Sequence, residues 1–69
     1  MRLENRIKVL RAERDWTQQD LATRVGVTRK TINTVERGVF VPSTIVALKI
    51  ASCFGVPVET VFRLAPDEP

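Results

Sequence analysis

Residues 17–38, TQQDLATRVGVTRKTINTVERG, constrain the chain more than any other stretch. They encode two short helices joined by a tight turn. Thr17 opens the first helix, with Asp20 three residues on in a capping-box position. Leu21, Ala22 and Val25 give it one apolar face. Gly26 ends it, because glycine accepts the left-handed conformation that closes a helix. Val27 plugs the turn, and the Thr28 hydroxyl caps the second helix. Ile32 and Val35 bury one side of that helix, while Arg29, Lys30, Asn33, Thr34 and Arg37 occupy the other. Gly38 stops it.

The flanking segments read as further helices. Leu3, Ile7 and Leu10 form a helical stripe, predicting a first helix over about 3–13 that Arg14-Asp15 ends. Trp16, just before the Thr17 cap, suits a position that staples the chain onto the next helix. The alternative is an exposed ring that stacks on a base or a partner. After Gly38, the run VFVPS is unusually apolar for a loop. Pro42 blocks helix continuation and Ser43 caps a fourth helix over 44–54, with Ile45, Leu48, Ala51 and Phe54 as its stripe. Gly55 closes it. Pro57 can start a short fifth helix ending near Arg63. No strand pattern is evident. The expectation is one all-α domain of five helices over residues 1–64, followed by a frayed tail at 65–69.

Composition excludes several functions. A chain of 69 residues holds one small domain with a modest core. Its net charge of +3 is weak evidence by itself, but the placement is informative. Arg24, Arg29, Lys30 and Arg37 crowd the central element, where Glu36 is the one acid, whereas Glu59, Asp67 and Glu68 lie late. The lone Cys53 excludes an internal disulfide, and without histidine no zinc cluster is expected. Cys53 reads as a partly buried thiol on the fourth helix. Neither a glycine-rich phosphate loop nor a cluster of acids is present, so no enzyme activity, metal or cofactor is expected. No signal-like or membrane-spanning segment is seen, and a cytoplasmic location is expected.

Two helices about a glycine-containing turn make a helix-turn-helix unit, whose second helix can enter the DNA major groove. The segments NRIKVLRAER (5–14), TQQDLATRVGVTRKTINTVERG (17–38) and PSTIVALKIASCFGVPVETVF (42–62) together resemble the phage repressor and Cro family, the Xre-type regulators. The resemblance covers residues 5–62 and implies a five-helix, lambda-repressor-like domain with the motif at its second and third helices. It implies a transcriptional regulator, expected to act as a repressor, reading double-stranded DNA with residues 28–37. Thr28, Arg29, Lys30, Asn33 and Thr34 are then candidate base readers, since arginine pairs with guanine and a threonine methyl can meet thymine. The bland reading of the same residues is a solvated polar helix face.

By the same resemblance, Gln18, Arg11, Thr31, Arg37 and the backbone at Gly38 and Val39 are phosphate candidates. Arg37 has an alternative role at the helix C-terminus, where positive charge is stabilising. The family also pairs the positions of Arg11 and Glu36 as a structural ion pair. Relatives dimerise through the later region, which makes Phe40, Val41, Val56, Pro57, Val58 and Leu64 candidates for a homodimer surface on a palindromic operator. Two alternatives stay open. One is the antitoxin of a toxin–antitoxin pair on the same DNA-binding fold, with a toxin or other regulatory protein as partner. The other is a protein-interaction module that has lost DNA binding.

Overall fold

Ile7, Leu21, Ile32 and Ile50, one from each of four helices, are fully buried and meet at the centre of the fold. In the computed structural model residues 1–66 are described. The order is β1 (Arg2–Asn5), α1 (Ile7–Glu13), α2 (Gln18–Val25), α3 (Arg29–Glu36), α4 (Thr44–Phe54), α5 (Val58–Val61) and β2 (Phe62–Ala65).

The five helices agree with expectation, but the all-α reading does not hold. β1 and β2 pair antiparallel, with Leu3 opposite Leu64 and Asn5 opposite Phe62. Leu3 therefore belongs to a strand, and α1 begins only at Ile7. Asn5 marks the break. Its Oδ1 accepts the Ile7 N–H at 3.1 Å, and the next N–H, that of Arg6, donates to the Val61 carbonyl at 2.9 Å. α5 likewise stops at Val61, because Phe62 turns extended to join β1. The expected domain boundary after residue 64 falls inside β2, whose last residue, Ala65, is buried. Residues 67–69 of the expected tail lie outside the described residues.

The local stop and start signals behave as read. Thr17 and Asp20 form the reciprocal capping box, with Asp20 N–H on Thr17 Oγ1 at 3.0 Å and Thr17 N–H on Asp20 Oδ2 at 2.9 Å. The first of these bonds holds one orphan donor; the second, from the Thr17 N–H, is the chief reason the Asp20 carboxyl titrates below its ordinary range. Gly26 adopts φ 86°, and its N–H and that of Val27 both reach the Ala22 carbonyl. Thr28 and Ser43 cap α3 and α4 through the N–H groups of Thr31 and Val46.

The second half of the stripe expected on α4, Ala51 and Phe54, is buried, and the first half is not. Ile45 and Leu48 are 67% and 52% exposed, and Ile50, Ala51 and Phe54 carry the core contact, with Val46 and Ala47 packed against it. A strict spacing of three drifts about 60° round the helix at each step, whereas 47, 50, 51 and 54 follow the true helical repeat. Trp16 packs rather than projecting. Its ring stacks on Phe54 with centroids 5.5 Å apart, and the Arg24 guanidinium covers it at 4.1 Å. Arg24 is thereby drawn away from the basic cluster that the sequence suggested.

Candidate nucleic-acid interface

α3 presents two chemically opposite sides because its apolar residues fall one turn apart. Ile32 and Val35 are 0% and 2% exposed, which fixes the opposite side toward solvent. Arg29 and Lys30 stand exposed in the first turn, and Arg37 is exposed at its C-cap. Among the described residues none of these three side chains has a hydrogen-bond or ion-pair partner. Three cations without partners on one short element produce a positive edge, and nothing inside the fold competes for them.

The position of α3 is set by a network reaching it from α1 and α2. Arg11 donates Nε to Glu36 Oε2 at 2.6 Å, Nη2 to Glu36 Oε1 at 3.1 Å and Nη1 to the Trp16 carbonyl at 2.8 Å. The expected pair is present and bidentate, with side chains only 14% and 7% exposed. It also neutralises the acid of α3, leaving the helix surface to its cations. Gln18 Nε2 lies 3.2 Å from Asn33 Oδ1 and 3.5 Å from Glu36 Oε1. Asn5 Nδ2 donates to the carbonyls of Val35 and Glu36, at 3.1 and 3.3 Å, closing the C-terminal end of α3.

Several of the residues expected to meet DNA also have partners inside the fold. Arg11 has three of its five N–H donors on Glu36 and Trp16, so it braces α1 against α3. The Gln18 side-chain amide is taken up inside the fold, and the open donors at the start of α2 are the backbone N–H groups of Gln18 and Gln19. Asn33 Oδ1 accepts from Gln18, and among the described residues no partner takes its amide N–H bonds. The Gly38 N–H donates to the Val35 carbonyl and the Val39 N–H to the Thr34 carbonyl, both within the fold. Thr28 and Thr31 are joined hydroxyl to hydroxyl at 3.1 Å, and Thr34 donates back to the carbonyls of Lys30 and Thr31.

The later apolar residues divide in two. Val56 and Val58, expected on a dimer surface, pack against the core. Phe40, Val41 and Leu64 are 52%, 69% and 61% exposed, and Pro57 is exposed as the N-cap of α5. Asn5 is the structural residue that sequence reasoning missed. An asparagine two places before an apolar helix start is a capping signal, but the Leu3–Ile7–Leu10 stripe concealed it.

Comparison with known proteins agrees with this geometry. Residues 7–61 match the helix-turn-helix family model. An uncharacterized HTH-type transcriptional regulator of Methanocaldococcus jannaschii is 44% identical over 66 residues, covering 96% of this chain and all of that one. A second, from Bacillus subtilis, is 44% identical over 62 residues, covering 90% and 94%. Among solved structures, a candidate DNA-binding protein from Bacteroides fragilis superposes with a TM-score of 0.78 at 30% identity, over 88% of this chain and 98% of its own. With the capped α2–turn–α3 unit on one side and these matches on the other, the chain belongs to the Xre-type helix-turn-helix family.

Proposed function

We propose that this protein is a transcriptional regulator that binds double-stranded DNA sequence-specifically, with α3 in the major groove. The observation that carries the reading is the exposed, unpartnered pair Arg29 and Lys30 at the N-terminal end of α3, on a helix whose other side is fully buried. Arginine there can make a bidentate pair with guanine O6 and N7, and the adjoining lysine can reach the same class of acceptor. The Gln18 and Gln19 N–H groups supply the anion site that holds a phosphate and sets the register. Arg37 adds a second backbone contact. The test is affinity for a duplex selected from a random-sequence pool, measured against salt. The slope of log K against log salt should be about −0.9 for each phosphate neutralised. A flat response, or equal affinity for all sequences, removes the reading.

The protein is further proposed to act as a homodimer on a palindromic site. One α3 reads only about four to six base pairs, too few to mark a genomic site. Two heads on a two-fold axis, about 34 Å apart, solve this. Support comes from an open groove of about 1050 Å³ between the C-terminal end of α3 and the two-stranded sheet, with Phe40 and Val41 on its wall. Leu64 adds exposed apolar area on β2. Of these residues, Val41 and Leu64 stand outside the notch that Lys30 lines and leave the reading turn free.

A further inference from the structure

The outer side of α3 meets the following loop in a notch. Lys30, Thr31, Thr34, Val39 and Phe40 line about 340 Å³ of open space. Val39 is 69% exposed and Phe40 52%. Exposed apolar side chains beside a helix that faces a charged polymer lower its solubility without an evident return, unless they meet an apolar group of that polymer.

The hydroxyls of the notch and the backbone N–H groups of Val39 and Phe40 make hydrogen bonds within the fold. Thr34 Oγ1 donates to the Lys30 and Thr31 carbonyls, each at 3.0 Å, and Thr31 Oγ1 is paired with Thr28 Oγ1. The N–H groups of Val39 and Phe40 both donate to the Thr34 carbonyl, at 3.0 and 3.2 Å. The notch surface is chiefly methyl, isopropyl and phenyl groups, with the unpartnered Lys30 ammonium at its rim. On the major-groove edge of DNA the one apolar group is the 5-methyl of thymine, and the acceptor beside it is thymine O4. Methyl and O4 match the notch and its rim.

We propose that this notch receives the 5-methyl group of a thymine, with Lys30 on its O4, so that Val39 and Phe40 determine base preference at that position. The proposal rests on the DNA-reading function above. Burying one methyl group corresponds to about a fourfold change in affinity.

The test uses the full chain and a duplex selected from a random-sequence pool. Each thymine is replaced singly by deoxyuridine, which removes the methyl and keeps O4, and affinity is measured at fixed salt. The expected result is a loss of about fourfold at one thymine for each bound α3. In Phe40→Ala and Val39→Ser the thymine-to-uracil ratio at that position should fall toward one. The ratio is the readout, because weakened folding or dimerisation lowers both affinities alike. A ratio of one at every position, a selected site without thymine, or a ratio that survives in both variants overturns the proposal. If no duplex is preferred, the DNA-reading function fails and the notch with it. A preferred duplex indifferent to the methyl removes the notch alone.

Discussion

Arg11 grips Glu36 across the interface of α1 and α3, with Nε 2.6 Å from Oε2 and Nη2 3.1 Å from Oε1. The pair reaches between residues 25 positions apart and holds the reading helix against the body of the fold. Removing one partner leaves the other charge largely buried. Glu36→Ala should therefore cost about 3 kcal/mol of stability, more than a surface change. The double variant with Arg11→Ala should cost much less than the sum of the two single changes. Urea unfolding of the four proteins checks this, and additive losses would mean the pair carries no coupling.

Two carboxyls link stability to acid. Asp20 is held below its ordinary value of 3.8, first by the Thr17 N–H and second by the Thr17 hydroxyl. Glu4 is held below 4.5, first by its hydrogen bond from Arg63 and then by Arg2. A lowered carboxyl binds fewer protons folded than unfolded, so its contribution is complete above the unfolded value and is lost as pH falls through the folded one. Stability should thus be level from about pH 7 to 5 and decline below about pH 4. Asp20→Asn with Glu4→Gln should flatten that decline, as urea midpoints across the range would report. An unchanged acid limb in the double variant would contradict the assignment.

Gly26 fixes the turn between α2 and α3. Its φ of 86° is unfavourable for any residue with a Cβ, although an added Cβ would meet nothing within 4 Å. Gly26→Ala should cost about 1–2 kcal/mol through backbone strain alone. Thermal unfolding checks this. A neutral substitution would mean that the turn accommodates another conformation at no cost.

Assembly should depend on the exposed apolar residues and not on those packed inward. Val41→Asp and Leu64→Asp should leave the fold intact, since both sites are largely exposed. They should shift sedimentation equilibrium toward monomer and weaken binding to a palindromic duplex. A wild-type monomer on a single half-site, or variants with undiminished affinity, would contradict the two-fold arrangement.

What the sequence disclosed follows the range of the interactions. The Thr17–Asp20 box, the Gly26 stop and the Thr28 cap act over a few residues, and each was legible from residue type and spacing. β1 and β2 join opposite ends of the chain, and at four residues each RLEN and FRLA are too short for their alternation to announce a strand. α4 is apolar nearly all round, so its pattern did not choose between Ile45 and Ile50 for the core. At the site, the cations of α3 were visible from their placement beside Ile32 and Val35. That Gln18 would turn inward to Asn33 and Glu36 depends on side-chain positions brought together only by the folded helices.

The central claim is that α3 reads bases through Arg29. Its most direct test is the affinity of wild type and Arg29→Ala for the selected duplex and for that duplex changed at single base pairs. The expected result is a loss of about 1–3 kcal/mol on the preferred duplex, with discrimination relaxed at one position for each bound α3. A loss equal on all sequences, or none, would contradict base reading by Arg29.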